Sequence, residues 1–257
     1  MFEKLGFVAN RRKQKEVELC WCGKLPAVGD FVWSTERTPS RMALDEWLQS
    51  GVHHLRASQG DEWQAHFDHA PVWNFLVPAR VLGDGWAAGC ISPSCDRVGR
   101  RFPLSVAYSF SQLTARATDC MKIETVPELL AITGNVMYQA IRRAWTREAL
   151  ASALENALRQ WQDSMLEMPA RQDRPPSAPS VILEVLTSTA PDHQYGTTQP
   201  VSRTKSFPWP DVARTLTQQS GPGFWWTNGA GGAPLKAFTY DNRLDGPLMS
   251  WLFGRRI

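Results

Sequence analysis

The chain has 257 residues, of which 43% are hydrophobic and 21% charged, so it is long enough to bury a core as one large domain or two small ones. Its net charge of +3 is small for a protein that follows a nucleic-acid backbone. No run approaches the about 18 apolar residues of a membrane-spanning helix. We therefore expect a globular protein that neither binds nucleic acid nor inserts directly into a membrane.

The first 16 residues contain the densest basic run of the chain, from Arg11 to Lys15. Chain ends are usually disordered unless they dock, so we predict a disordered basic tail over residues 1–16. A nucleic-acid or membrane-surface contact is the alternative. The five cysteines fit no zinc-binding spacing. Lone thiols in a chain without a recognisable export signal favour a reducing compartment, and we expect a cytoplasmic location.

Turn residues and apolar periodicity predict alternating strands and helices in the first half of the chain. A strand over Val17–Gly23 leads into a loop, and Ser40 is the expected N-cap of a helix with apolar residues spaced near 3.6. A second short helix after Asp61 turns Trp63 and Phe67 inward. The three strands that follow span Val72–Val77, Trp86–Ile91 and Leu104–Phe110. Their connections favour an antiparallel meander.

Helical signals dominate the middle of the chain. Thr125–Glu128 is a capping-box pattern that predicts the start of one long helix. A second long helix follows, in which apolar residues from Leu150 recur at helical spacing. Residues 169–179 contain four prolines and predict an exposed loop. The elements expected beyond it are strands at Val181–Leu186, Phe224–Trp226 and Leu235–Tyr240, a short helix after Pro210 and a hairpin turn at Gly229–Gly232.

Hairpins combined with helices, without consistent strand–helix–strand repeats, predict an α+β fold: a mostly antiparallel sheet flanked by helices. We expect residues 17–257 to form one domain in which the last strands return to the first sheet, because the first half alone offers few strands to cover its long helices. The alternative is two subdomains, residues 17–168 and 180–257.

The sequence contains no phosphate-loop, dinucleotide-binding, serine-hydrolase or zinc-protease motif. Glu62, His66 and His69 would share one face of a helix and could in principle hold a metal, but a polar outer surface is the stronger hypothesis. Cys95 and Asp96 have no histidine nearby in sequence to act as a base. We expect no catalytic residue, metal or cofactor. The alternative is a hydrolase or phosphatase-like enzyme that uses the Cys95/Asp96 loop or the His66/His69 pair.

Four segments occur in order over the first half of the chain: GKLPAVGDFV (Gly23–Val32), DEWLQSG (Asp45–Gly51), APVWNF (Ala70–Phe75) and SPSCDRVGRRFPL (Ser92–Leu104). Together they resemble the N-terminal signature of the TagF (ImpM) family, accessory proteins of bacterial type VI secretion. The FWWT segment (Phe224–Thr227) resembles the family's C-terminal aromatic motif. The resemblance implies a longin-like α/β sandwich. It also implies a non-enzymatic, post-translational repressor that binds the forkhead-associated (Fha) scaffold protein and blocks assembly or firing.

The SPSCDRVGRRFPL segment places Asp96 and three arginines between two apolar runs. Asp96 is expected to pair with Arg97 or Arg100 and to fix the entry of a strand. Alternatively, Arg100 or Arg101 binds an acidic partner surface; Arg101 departs from the family pattern and is expected to be the more exposed. Adjacent tryptophans of a strand point to opposite sides, so one of Trp225 and Trp226 is expected at the surface, and Trp226 is the candidate anchor for a partner. The candidate partner-binding residues are Lys24, Arg100, Arg101 and Trp226. The candidate structural residues are Gly23, Pro26, Gly29, Asp30, Asp96, Arg97, Gly99, Phe102 and Pro103.

Overall fold

The computed structural model describes residues 17–110, 117–167, 221–241 and 243–254. The expected basic tail, the proline-rich loop, the strand at Val181–Leu186 and the helix after Pro210 lie outside these residues. The strands within them are β1 (Val17–Lys24), β2 (Phe31–Trp33), β3 (Trp73–Val77), β4 (Ala87–Ser92), β5 (Leu104–Phe110), β6 (Gly223–Thr227) and β7 (Ala237–Tyr240).

These strands form a 7-stranded sheet in the order β2-β1-β5-β4-β3-β6-β7. Every neighbouring pair is antiparallel. The predicted meander of β3, β4 and β5 is confirmed, as is the hairpin between β6 and β7. Because β6 pairs with β3, strands from before and after residues 168–220 lie in one sheet.

Helices cover both faces of the sheet. On one face lie α1 (Pro39–Gln59), α2 (Trp63–Asp68) and α5 (Gly246–Phe253), and on the other lie α3 (Ala117–Arg142) and α4 (Arg147–Glu167). Neighbouring residues of a central strand enter different cores: Phe75 packs on the α1 side and Leu76 on the α3 side. The fold is therefore of the predicted α+β class. In the described ranges, no helix is both long and apolar enough to cross a membrane.

The N-cap of α1 differs from the prediction. Thr38 occupies this position, and its Oγ1 accepts a hydrogen bond from the backbone N–H of Arg41 at 3.2 Å. Pro39 fits the first turn, because the N–H that proline lacks has no helical partner there. Ser40 therefore lies inside the helix, and its assignment as the cap is wrong. The predicted apolar face is confirmed, since Leu44, Trp47, Leu48, Val52 and Leu55 are buried.

Helix α3 is longer than the capping box indicates. It begins at Ala117 and contains Pro127, which cannot donate to the carbonyl group one turn earlier. The hydroxyl group of Thr125 is not a cap: it donates to the carbonyl of Lys122 and accepts a hydrogen bond from the indole of Trp161 at 3.1 Å. Burial of Ile123 against the core stabilises the added turns, because tertiary packing supplies most of a helix's stability.

Candidate functional site

The segment between β4 and β5 folds into a compact loop, and residues 94–102 are called the arginine loop below. The backbone N–H of Asp96 donates to the carbonyl of Arg100 at 3.2 Å, and the N–H of Gly99 donates to the carbonyl of Asp96 at 2.9 Å. Gly99 has a φ of 82°, in the left-handed region that favours glycine. These bonds give the loop one defined backbone conformation.

Asp96 is the centre of the arginine loop, and its side chain is 0% exposed. One carboxylate oxygen, Oδ2, accepts from Lys24 Nζ at 2.8 Å and from Arg100 Nε at 2.6 Å. The other, Oδ1, accepts from the backbone N–H groups of Val98 at 3.1 Å and Arg100 at 2.9 Å. Burial alone would raise the pKa of this carboxyl group, but the hydrogen bonds outweigh burial and hold the pKa below its usual range. Asp96 is therefore a charged, fully bonded group inside the protein.

Lys24, expected as a contact residue, is internal. Its side chain is 8% exposed, and the ammonium group lies 2.8 Å from Asp96 and 4.8 Å from the centre of the Phe31 ring. The Lys24 carbonyl accepts from Ser94 Oγ at 2.8 Å. A buried lysine needs a counter-ion. The ion pair between Lys24 and Asp96 therefore links the end of β1 to the arginine loop. Lys24 cannot reach a partner surface from this position, so its assignment as a partner-binding residue is wrong.

The first two arginines of the loop differ in role. Arg97 is exposed, and its backbone N–H donates to the Val28 carbonyl at 2.9 Å; the ion pairs of Asp96 are with Lys24 and Arg100. Arg100 keeps a side chain that is 62% exposed even though Nε is bound to Asp96. One terminal nitrogen of Arg100 also donates to the Gly29 carbonyl at 2.7 Å. The guanidinium group of Arg100 is thus bonded to Asp96 and to the Gly29 carbonyl, and the rest of its surface faces solvent.

Arg101 is the less exposed of the two candidates, contrary to the expectation. Its guanidinium group forms a forked pair with Asp68 on α2 at 2.7 to 2.9 Å, and Nη1 donates to Gln64 at 3.1 Å. The pair leaves 33% of the Arg101 side chain exposed, about half the fraction of Arg100. The contacts of Asp68 and Gln64 with Arg101 could not be predicted from the sequence, because polar residues on an exposed helix face do not indicate which loop packs against them.

Arg101 contributes little to stability by this geometry. Both members of its pair with Asp68 are partly exposed, at 33% and 41%, and solvent screens such pairs. We expect Arg101→Ala to change the free energy of unfolding by less than about 1 kcal/mol in urea titrations. A loss of more than about 2 kcal/mol would contradict a screened surface pair.

The segment from Gly23 to Asp30 lies against the arginine loop. Asp30 bonds the local backbone, with Oδ1 accepting from the Phe31 N–H at 2.7 Å. Gly29 receives Arg100 on its carbonyl group, and Pro26 is half-buried in the preceding turn. The remaining contacts of the loop are Phe102 edge-on to the Phe31 ring, with centroids 4.9 Å apart, and Pro103, whose carbonyl lies beside Gly23. The candidate structural residues therefore form one connected unit where β1 ends and β2 begins.

A cleft of about 540 Å³ opens on the other side of the arginine loop, where the end of α1 meets α2. Arg56, Arg100 and Arg101 line it together with Asp61 and Trp63. The guanidinium carbon of Arg56 lies 5.0 Å from the centre of the Trp63 ring. Cationic side chains thus border the loop on its cleft side as well as at its tip.

A family model described as the TagF N-terminal domain, type VI secretion system-associated, matches residues 20–170. The chain belongs to the TagF family. Membership associates the protein with a type VI secretion system. The crystal structure of PA0076 from Pseudomonas aeruginosa PAO1 is similar to this chain at 21% identity and a TM-score of 0.48, over 93% of this chain and 96% of that one. A comparison with curated proteins gives no match.

In this TagF-family chain, Trp226 is buried rather than exposed. Trp226 is 6% exposed and packs in the core under α3, while Trp225 is 2% exposed and packs on the α1 side. The two rings do point to opposite faces, but helices cover both faces of the sheet, so neither reaches the surface. The assignment of Trp226 as a partner-binding anchor is wrong.

The residues of the enzyme alternative are Cys95, Asp96, His66 and His69, and all four lie in the described ranges. Glu62 belongs to a short 3-10 helix that runs directly into α2, and His69 follows Asp68, the last residue of α2, so the three side chains do not lie on one α-helix. No cluster of three or more metal-ligating side chains occurs in the described ranges. Burial, followed by the charges of Asp96 and Asp68, raises the pKa of the Cys95 thiol, which disfavours the thiolate that a nucleophile requires.

Proposed function

We propose that the protein is a post-translational repressor of a type VI secretion system that acts without catalysis, by binding the Fha scaffold protein in the cytoplasm and blocking assembly or firing. The observation that carries this proposal is the TagF match over residues 20–170. The resemblance of the four sequence segments supplies the repressor role and the scaffold as partner.

The arginine loop supports a binding role. Asp96 accepts hydrogen bonds from the backbone N–H and from Nε of Arg100, and the Gly29 carbonyl accepts from a terminal nitrogen, while 62% of the Arg100 side chain remains exposed. A side chain held in place before binding loses less conformational entropy when a partner docks. Arginine is also enriched among the residues that contribute most to protein interfaces. The loop therefore presents a positively charged side chain to solvent, which supports a role in binding a partner.

The chemistry of the loop gives the enzyme alternative little support. Four hydrogen bonds occupy the Asp96 carboxylate, and a base or nucleophile needs a free lone pair within reach of its substrate. We expect Cys95→Ser and His66→Ala to repress secretion as wild type does. Loss of repression in either variant, with the melting temperature unchanged, would favour the hydrolase or phosphatase-like enzyme.

The direct test is binding and repression measured together. Purified protein is mixed with the Fha protein of the same secretion cluster, and the mixture is analysed by size-exclusion chromatography with light scattering. We expect a complex of defined stoichiometry and, on overproduction in cells, a drop in the amount of secreted effector in the medium. Separate elution at micromolar concentration together with unchanged secretion would overturn the proposal.

A further inference from the structure

Large apolar side chains are exposed on β2 and on the tip of the arginine loop. Phe31 is 38% exposed, Trp33 46% and Val98 69%. Phe31 and Trp33 lie on the same side of the strand, because Val32 between them is buried in the core under α3. Six large apolar side chains are exposed in the described ranges, and three of them are on this short strand and the adjacent loop. Such a concentration is typical of an interaction surface.

The strand and the loop form one continuous surface. The Arg97 N–H bonds the Val28 carbonyl, Arg100 bonds the Gly29 carbonyl, and Lys24 lies between the Phe31 ring and Asp96. Strand β2 is also at the edge of the sheet: it pairs with β1, and its other side has no strand partner in the described part of the chain. Edge strands offer unpaired backbone groups to an incoming segment.

The charge of this surface is positive. Arg97 and Arg100 are exposed beside Val98. Asp30 is the exposed acidic residue of the adjoining turn, and its Oδ1 is engaged by the Phe31 N–H. Aromatic and arginine side chains side by side are the composition of interface hot spots. The partner segment that fits must therefore supply negative charge to the arginines and apolar contact to the rings.

We infer that Phe31, Trp33, Arg97, Val98 and Arg100, called the docking face below, bind an acidic segment of the partner protein that also carries apolar side chains. This inference rests on the proposed function, because it names the surface through which the repressor binds its target. Phe31 and Val98 lie within two of the quoted sequence segments, but none of the three apolar members was among the candidate partner-binding residues. The rigid base that Asp96 gives to the loop fixes the spacing between the arginines and the aromatic rings.

The test compares one variant of the docking face with a matched control. Arg97→Glu/Val98→Asp reverses one charge and places another at the loop tip, where both side chains are exposed. Arg159→Glu/Leu166→Asp also reverses one arginine and replaces one aliphatic side chain by aspartate, at exposed positions of α4 on the opposite face of the sheet. Trp33→Ala probes the aromatic part separately. Melting temperatures first establish that all variants fold.

The Fha protein of the same cluster is the probe, and its dissociation constant is measured with each protein at about 0.05 and 0.3 M salt. We expect Arg97→Glu/Val98→Asp and Trp33→Ala to weaken binding at least about tenfold, and the α4 control to bind as wild type does. Added salt should weaken the wild-type complex more than the Arg97→Glu/Val98→Asp complex, because fewer opposite charges then meet in the interface. Binding by that variant within about twofold of wild type would overturn the docking face.

Repression in cells separates failure of the docking face from failure of the proposed function. If wild type represses secretion but does not bind Fha, loss of repression in the docking-face variants alone would support the surface with another partner. Retained repression in those variants would overturn it. A wild-type protein that neither binds nor represses overturns the proposed function and the docking face with it.

Discussion

Replacing Asp96 with alanine is expected to lower the free energy of unfolding by about 3–5 kcal/mol. The carboxylate is inaccessible to solvent, and its removal leaves the buried ammonium group of Lys24 without a counter-ion. The backbone N–H groups of Val98 and Arg100 also lose their acceptor. Urea-induced unfolding followed by tryptophan fluorescence measures the difference. A loss below about 1 kcal/mol would contradict a buried ion pair.

Two further variants separate the buried pair from carboxylates in general. Asp68→Ala is the matched control, because it removes a carboxylate from the partly exposed pair with Arg101; its cost should stay below about 1 kcal/mol. Asp96→Ala/Lys24→Met removes the buried cation together with its partner. This double variant should recover part of the lost stability, because replacing a buried pair by apolar groups costs less than breaking it. No recovery would mean that the unpaired ammonium group is not the cause of the loss.

The same pair predicts a pH dependence. Burial raises the pKa of Asp96, but its hydrogen bonds more than offset this, so that the folded-state pKa lies below the unfolded value. A lowered carboxyl pKa contributes stability that is complete above the unfolded pKa of about 3.9 and is lost as the pH falls toward the folded-state pKa. The stability difference between wild type and Asp96→Asn should therefore shrink between about pH 5 and pH 3. A constant difference would contradict the linkage.

Replacing Gly23 with alanine is expected to destabilise the protein by at least about 3 kcal/mol. Gly23 has a φ of 139°, which side chains rarely adopt, and an added Cβ would overlap the carbonyl oxygen of Pro103 and lie 2.7 Å from the Cα of Leu104. These backbone atoms belong to the start of β5 and its approach, so they cannot move without disturbing the sheet. Thermal unfolding by circular dichroism checks the expected loss.

Gly29→Ala is the control for this substitution, because Gly29 lies in the loop that directly follows β1. Gly29 has no positive φ, and the nearest atom to an added Cβ is the Arg97 guanidinium at 3.5 Å, an ordinary contact. Its effect should stay within about 1 kcal/mol. Equal melting temperatures for Gly23→Ala and wild type would contradict the close approach of β1 to Pro103.

The fold class and most elements could be predicted because their signals are local. Apolar residues at helical spacing mark α1 and α4, and the alternation of Leu104, Val106, Tyr108 and Phe110 places these side chains in one core, as observed. The predicted start of α3 at Thr125 was wrong because it, too, relied on a local signal. A capping box describes only four residues, whereas α3 extends further toward its N-terminus and buries Ile123 in the core, a tertiary contact that no local pattern encodes.

The sequence predicted which segment forms the candidate site, but not which of its side chains are buried. The SPSCDRVGRRFPL motif correctly drew attention to Asp96, yet the lysine that pairs with it is 72 residues away, and no local pattern encodes that distance. Trp226 was misplaced because alternation along a strand implies a solvent side only when one face of the sheet is bare. The uninterrupted apolar run Phe224-Trp225-Trp226 is the signal that could have indicated burial on both faces.

The pairing of β6 with β3 means that the sheet cannot finish folding until the C-terminal part of the chain has been synthesised. Asn74 on β3 and Asn228 after β6 are hydrogen-bonded across 154 positions of the chain, and contacts between such distant residues form slowly. Until β6 has been synthesised, β3 is an edge strand without its β6 partner, and it carries the large apolar side chains of Trp73 and Phe75. An open edge of this kind recruits strands from other chains. A fragment that ends at residue 170, where the TagF match ends, would keep this edge permanently and should aggregate rather than fold.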